Sequence, residues 1–267
     1  MPEINWMTIL ESQQDEFIIK LKDMMPGFTR GKYDFDEAIH LYSVCDGDDE
    51  KEEQMNWFCT ELTYKYNHGN LLPDKFMNYK IGKIGEESVK QYLGKLISDV
   101  DYELYEWGDD GTDFYLRDKR AVSLQVKTTC FNRILEKDID CEIDEFIYEL
   151  SEGYVNLEHD LCQNFLDIVK WKISEKEQNK SQVCIFVLLL NQVVGDRISS
   201  YVDIEKIDKD LILYRMITNS SSPQIDLSYS SILCGFKPTD LLKPDTDIYL
   251  KDLFYIGGLK GYLKHFT

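Results

Sequence analysis

Residues 111–116, Gly-Thr-Asp-Phe-Tyr-Leu, and residues 121–129, Ala-Val-Ser-Leu-Gln-Val-Lys-Thr-Thr, concentrate residue types that can do chemistry. Val122, Leu124 and Val126 alternate with Ser123, Gln125 and Lys127, the period-two signature of a strand with one buried face. Gln125 and Lys127 therefore project from the same side of a sheet. Two readings stand side by side. One is an antiparallel strand with an ordinary wet polar face. The other is a metal-dependent active site, with the carboxylates of 109–113 just upstream. Asp109 and Asp110 compete with Asp113 as ligands, although the glycines at 108 and 111 also suit them to turn chemistry.

A second carboxylate comes from upstream. The segment KIGKIGEESVKQYLGKL (80–96) reads as a helix with two adjacent glutamates. At about 100° per residue, Val89 and Leu93 lie within roughly 60° of Glu86. Glu87 shares its side with Lys90, Gln91 and Gly94 and is expected to face water. Glu86 thus borders the apolar stripe, where a carboxylate is costly without a partner such as a metal or a lysine. The plainer alternative is an i, i+4 pair between Glu86 and Lys90.

Taken in order, GEESVKQYL, WGDDGTDFYL and VSLQVKTT resemble the PD-(D/E)XK nuclease superfamily. The likeness is to the branch with Gln-x-Lys in the second motif, as in Mrr-type restriction endonucleases. It spans roughly 81–130, continues over 155–190 only as a helix-strand pattern, and does not extend over 1–80. It implies an α/β, restriction-endonuclease-like mixed central sheet flanked by helices, and Mg²⁺-dependent hydrolysis of DNA phosphodiesters, with Mn²⁺ able to substitute. It further implies roles for individual residues. Asp113 would be the principal metal ligand, and Glu86 would add a carboxylate directly or through water. Gln125 would offer its side-chain carbonyl and Val126 its backbone carbonyl. Lys127 would orient the attacking water or stabilise charge at the phosphate. The chain departs from the family pattern in two places: Gln125 replaces an acid, and Thr112 stands where proline usually precedes the aspartate. Thr128 and Thr129 either reach a phosphate or continue a solvated strand end.

The elements that must position these residues follow from the rest of the pattern. At 267 residues, 43% hydrophobic and 30% charged, the chain can bury a sizeable core as one large domain or two small ones. Residues 1–80 read as a mainly helical N-terminal extension. DEFIIKLKDMM and DEAIHLYSV are helix candidates, and the acidic run DGDDEKEEQ (46–54) is expected to be an exposed loop before a helix through Met55, Phe58 and Leu62. YNHGNLLPD (66–74) reads as a connection. Residues 81–267 alternate helices and strands, as expected of an α/β nuclease domain. A helix covers 84–97 and YELYEW (102–107) is a strand. DFYLR and AVSLQVK pair as a hairpin across Asp118, Lys119 and Arg120, and an acidic segment covers 136–152. An amphipathic helix carries Leu161, Phe165, Ile168 and Val169. QVCIFVLLL is a core strand, LILYRMIT and DIYLKDLFYI are later strands, and YIGGLKGYLKHF ends the chain as a packing helix whose lysines could also meet nucleic acid.

Composition bounds the partners. The net charge of −19 opposes nonspecific binding of nucleic acid, although a local basic patch can coexist with it. DNA is the expected partner, with RNA as a secondary one, and a homodimer or a partner protein is compatible with the chain. No apolar run approaches the roughly 20 residues of a membrane helix, and no secretory leader is evident. Seven cysteines, an odd number without a Cys-x-x-Cys pair, argue against a zinc ribbon or a disulfide framework. Buried free thiols in a reducing cytoplasm are expected instead. His40, His68, His159 and His265 share no ligand spacing.

Overall fold

The computed structural model describes residues 4–16, 40–44, 49–66, 73–100, 111–130, 169–189 and 229–266. Its elements in chain order are α1 (6–16), β1 (His40–Val44), α2 (Asp49–Tyr66), α3 (Pro73–Leu93), β2 (Ile97–Asp99), β3 (Phe114–Leu116), β4 (Lys119–Cys130), β5 (Lys170–Lys172), α4 (Glu175–Gln178), β6 (Val183–Leu189), β7 (Tyr229–Pro238), β8 (Asp247–Tyr249) and α5 (Leu259–Lys264). Six strands form one mixed sheet in the order β1-β7-β6-β4-β3-β2. Only the β4–β6 contact is parallel; every other neighbour runs antiparallel. A parallel pair needs a long return path. Here that path holds β5 and α4, and β5 pairs with β8 in a separate two-stranded sheet.

The alternation in β4 decides which layer each side chain meets. Val122 and Leu124 join Val89 and Leu93 of α3 in the main core, together with Phe114, Val183, Ile185 and Val187. Thr128 continues that face, since a Cβ built on Gly85 of α3 would lie 1.8 Å from its Oγ1. The helix backbone rests directly on the strand there, and only glycine permits it. Ser123, Gln125 and Lys127 project to the opposite face. On that side Trp171 of β5 packs edge-on against Phe186, with centroids 5.5 Å apart, and its indole N–H donates to Val187 O at 3.0 Å. β6 is covered from both sides, and all seven of its residues are buried. A continuous apolar run such as Val-Cys-Ile-Phe-Val-Leu-Leu suits such a strand.

Several sequence expectations change here. His40–Val44, inside the DEAIHLYSV helix candidate, is a strand, because the free edge of β7 offers it a ladder partner. The helix expected over 84–97 starts at Pro73 and ends at Leu93. Proline suits a first helical position, where its missing N–H costs nothing. Gly94, at φ +53, and a short 3-10 turn then release the chain into β2. α3 therefore runs unbroken through the expected 80/81 boundary, and β1 from the N-terminal segment belongs to the central sheet. The acidic run 46–54 becomes helical from Asp49, and Glu52 within it is buried. Of DIYLKDLFYI only Asp247–Tyr249 is a strand; Leu250–Asp252 is a 3-10 turn, and Phe254 adds an isolated bridge to Phe236.

The β3–β4 hairpin, the buried β6 strand and the terminal packing helix form as expected. In α5, Leu259, Tyr262 and Leu263 are buried, and Lys260 lies over the Tyr92 ring at 4.1 Å. YELYEW, LILYRMIT, the acidic segment 136–152 and positions 161–168 of the amphipathic helix lie outside the described residues, as do residues 17–25 of DEFIIKLKDMM. Among the described cysteines, Cys59, Cys130, Cys184 and Cys234 are free and buried. No helix of the described residues is long and apolar enough to cross a membrane.

Candidate active site

β4 changes neighbours halfway along its length. Its first half pairs with β3, in a register that includes Leu124 against Phe114; from Leu124 to Cys130 it pairs with β6. Gln125, Val126 and Lys127 occupy the point where one partner hands over to the other. Asp113 immediately precedes β3. Its own N–H donates to Leu124 O at 2.9 Å, and its carboxylate Oδ2 accepts the N–H of Val126 at 2.5 Å. Since Phe114 shares the core face with Leu124, Asp113 shares the opposite face with Gln125. Asp113, Gln125 and Lys127 are thus brought together on one face.

Gln125 is only 4% exposed, and its Oε1 has no hydrogen-bond partner among the described residues. A buried amide oxygen left without a donor is costly, and this is the kind of vacancy that a hard cation fills. The Asp113 carboxylate beside it supplies oxygen donors of the type that Mg²⁺ or Mn²⁺ takes, so these residues fit such an ion. Among the described residues, no three or more His, Cys, Asp and Glu side chains cluster in a way that could hold a metal. The fit therefore rests on one carboxylate plus the amide oxygen. Asp109 and Asp110, the competing carboxylates, lie outside the described residues.

Lys127 makes an ion pair with Glu177 of α4, a residue that the sequence reading passed over. Glu177 occupies the N3 position of α4 in a reciprocal capping box. Its Oε2 accepts from the Ser174 N–H at 2.9 Å and from the Ser174 hydroxyl at 2.6 Å. Burial raises the pKa of this carboxyl, but the hydrogen bonds from Lys127 and Ser174 outweigh it and hold the value at about 2. A Ser-x-x-Glu pattern is legible at 174–177 as a helix start; that it reaches Lys127 across fifty residues is not. Cys184, opposite Gln125 on β6, is pushed up by burial, with Lys127 opposing and Asp113 and Glu177 reinforcing the shift. All three charges act on the one thiol.

Gly111 and Thr112 fix the entry to Asp113. Gly111 has φ +79, and a Cβ there would lie 2.5 Å from Cδ of Lys180. The Thr112 hydroxyl donates to Lys180 O at 3.1 Å.

Glu86 takes a different place from the trio. It pairs with Lys83 at 2.8 Å, one turn back on α3, and α3 packs on the other face of the sheet. Burial disfavours the charge on Lys83, but Glu86, Glu87 and Asp99 together hold its pKa above the ordinary value. The neighbouring Gly85 brings Glu86 level with Thr128, one residue beyond Lys127. Glu87, expected in water, is half-buried and pairs with Lys51 of α2 at 3.4 Å. Lys90, the anticipated partner of Glu86, instead pairs with Asp99 at 2.8 Å. The Thr128 hydroxyl faces α3, away from the trio, while Thr129 shares the trio's face by alternation. The chain matches no protein-family model, no curated protein and no solved structure.

Proposed function

We propose that this chain is a metal-dependent nuclease with a restriction-endonuclease-like core that hydrolyses DNA phosphodiester bonds in a reducing, cytoplasmic setting. One observation carries the reading: Asp113, Lys127 and a Gln125 Oε1 without a hydrogen-bond partner among the described residues share one face where β4 passes from β3 to β6. Asp113 and Gln125, with the backbone carbonyl of Val126, would hold Mg²⁺ or Mn²⁺. Such an ion supplies Lewis-acid polarisation of the phosphate and activation of water. Lys127 contributes a positive charge beside the phosphate and a donor that orients the incoming water. Glu86, paired with Lys83 on α3 across the sheet, would join the site only by leaving that pair.

The net charge of −19 favours a second reading, in which the same fold no longer cleaves and serves as a nucleic-acid-binding or assembly module. One panel separates the two. Plasmid, linear, single-stranded and branched DNA, and RNA, are incubated with Mg²⁺ or Mn²⁺ against an EDTA control. Metal-dependent cleavage of DNA is expected. Titration calorimetry should find Mn²⁺ bound by the wild type and largely lost in Asp113→Asn; equal binding by both would remove Asp113 from the ligand set. Association with nucleic acid but no cleavage by either metal would favour the binding module.

A further inference from the structure

We infer that Glu177 is the positioning residue of Lys127, and that its carboxylate occupies the place a substrate phosphate oxygen takes during the reaction. The inference rests on the reading of Lys127 given above. A lysine side chain is long and mobile, so its ammonium acts at one point only if something holds it there. Glu177 does so with its two oxygens divided between two tasks. Oε2 is engaged by the Ser174 N–H and hydroxyl, while Oε1 accepts from Lys127 Nζ. Releasing Oε1 therefore leaves the helix cap intact, and the pair can open without unwinding α4.

The segment around Glu177 is fastened on several sides. Gln178 Nε2 donates to Thr239 O at 3.3 Å and to Leu242 O at 2.6 Å. Lys180 O accepts the hydroxyls of Thr112 and Ser123 at 3.1 and 3.3 Å. The Ser123 N–H and hydroxyl both donate to Gln182 Oε1, at 2.6 and 3.0 Å. Thr112 adjoins Asp113, and Ser123 lies on β4 with Gln125. The segment that aims Lys127 is thus anchored to the same strands that carry the proposed metal-binding oxygens. A fixed ammonium paired with one oxyanion is ready to exchange it for another, and a phosphodiester presents such an oxyanion.

Glu177→Gln tests this without breaking the cap, because glutamine serves equally at N3 of a capping box. Glu175→Gln is the control: it removes the same charge from the exposed side of α4. For Glu177→Gln, kcat is expected to fall about tenfold or more while KM stays level or drops, since the ammonium is free for phosphate but no longer aimed. Glu175→Gln should leave both constants within about twofold. An arm independent of cleavage follows acylation of Lys127 by an amine-directed reagent, read by mass spectrometry. It should run about fivefold faster or more in Glu177→Gln, and inorganic phosphate should slow it in that variant but not in the wild type.

Unchanged Lys127 acylation in Glu177→Gln would overturn the inference, as would an unchanged kcat in a cleaving enzyme, or absence of phosphate protection. A wild type that cuts nothing would overturn the nuclease reading instead. The acylation arm would still decide whether Glu177 holds Lys127 in place of a phosphate.

Discussion

Two ion pairs of this protein look alike and sit in opposite environments. Lys80 of α3 pairs with Glu52 of α2, their side chains 1% and 4% exposed, and Asn56 donates to the same carboxylate oxygen at 3.2 Å. Lys127 pairs with Glu177, their side chains 19% and 34% exposed, at the rim of the trio. The first is locked between two helices beside the buried Cys59, whose thiol burial pushes up to about 12. Both charges are almost fully withdrawn from solvent and held by protein groups. The second has an open side. The difference shows where a charged pair can be structural and where it can be used: desolvation fixes the first in place, while solvent keeps the second exchangeable.

Breaking the buried pair should give the largest effect. Lys80→Met removes the cation from a buried carboxylate and is expected to cost about 3–5 kcal/mol in urea unfolding. Adding Glu52→Gln should recover a good part of that loss. A single variant as stable as the wild type would show that the pair is not isolated from water. Lys127→Met sharpens the contrast from the other side. Its stability should change by less than about 0.5 kcal/mol, while metal-dependent cleavage slows about a hundredfold or more, equivalent to roughly 2.7 kcal/mol of barrier. Equal rates for this variant and wild type would put the chemistry elsewhere.

A smaller effect is expected at the α3 glutamates. If Glu86 adds a carboxylate to the site, Glu86→Gln should slow cleavage about tenfold, whereas Glu87→Gln should change it less than about threefold. The reverse ranking would place the useful carboxylate one residue along the helix.

The smallest effect concerns pH. The carboxyl of Glu177 is held at about 2 against an ordinary 4.5, so its pairing stabilises the fold above about 4.5 and that contribution fades as pH falls towards 2. With Glu177 partly solvated, the stability gap between wild type and Glu177→Gln should stay under about 1 kcal/mol at neutral pH and vanish near pH 2. A gap that persists there would assign it to the cap rather than the charge.

Much of the site was legible because it depends on short-range periodicity. Strand alternation alone put Gln125 and Lys127 on one face, and a hairpin between the two strands was legible, although its turn is the tighter Arg117–Asp118 rather than Asp118–Arg120. Glu86 was legible as a residue bordering the apolar stripe, but not as the partner of Lys83. Helical phase gives a direction around the axis and says nothing of which neighbour lies there. The strand at His40–Val44 was read as a helix because its five residues suit either state, and the choice belonged to the edge of β7. Glu177 carried a legible cap signal and no sign of its second task.

By itself, the sequence determined local periods: a strand with one polar face, a helix with a glutamate on its shoulder, a buried seven-residue strand, a capped turn at Ser174. These depend on side chains a few residues apart, where backbone geometry fixes direction. Only the tertiary structure decided the partners: β4 passing from β3 to β6 at Leu124, Gly85 pressed onto Thr128, Glu177 closing on Lys127 across 50 positions. Such contacts are chosen by the packing of whole layers, and no local pattern encodes which distant charge will arrive.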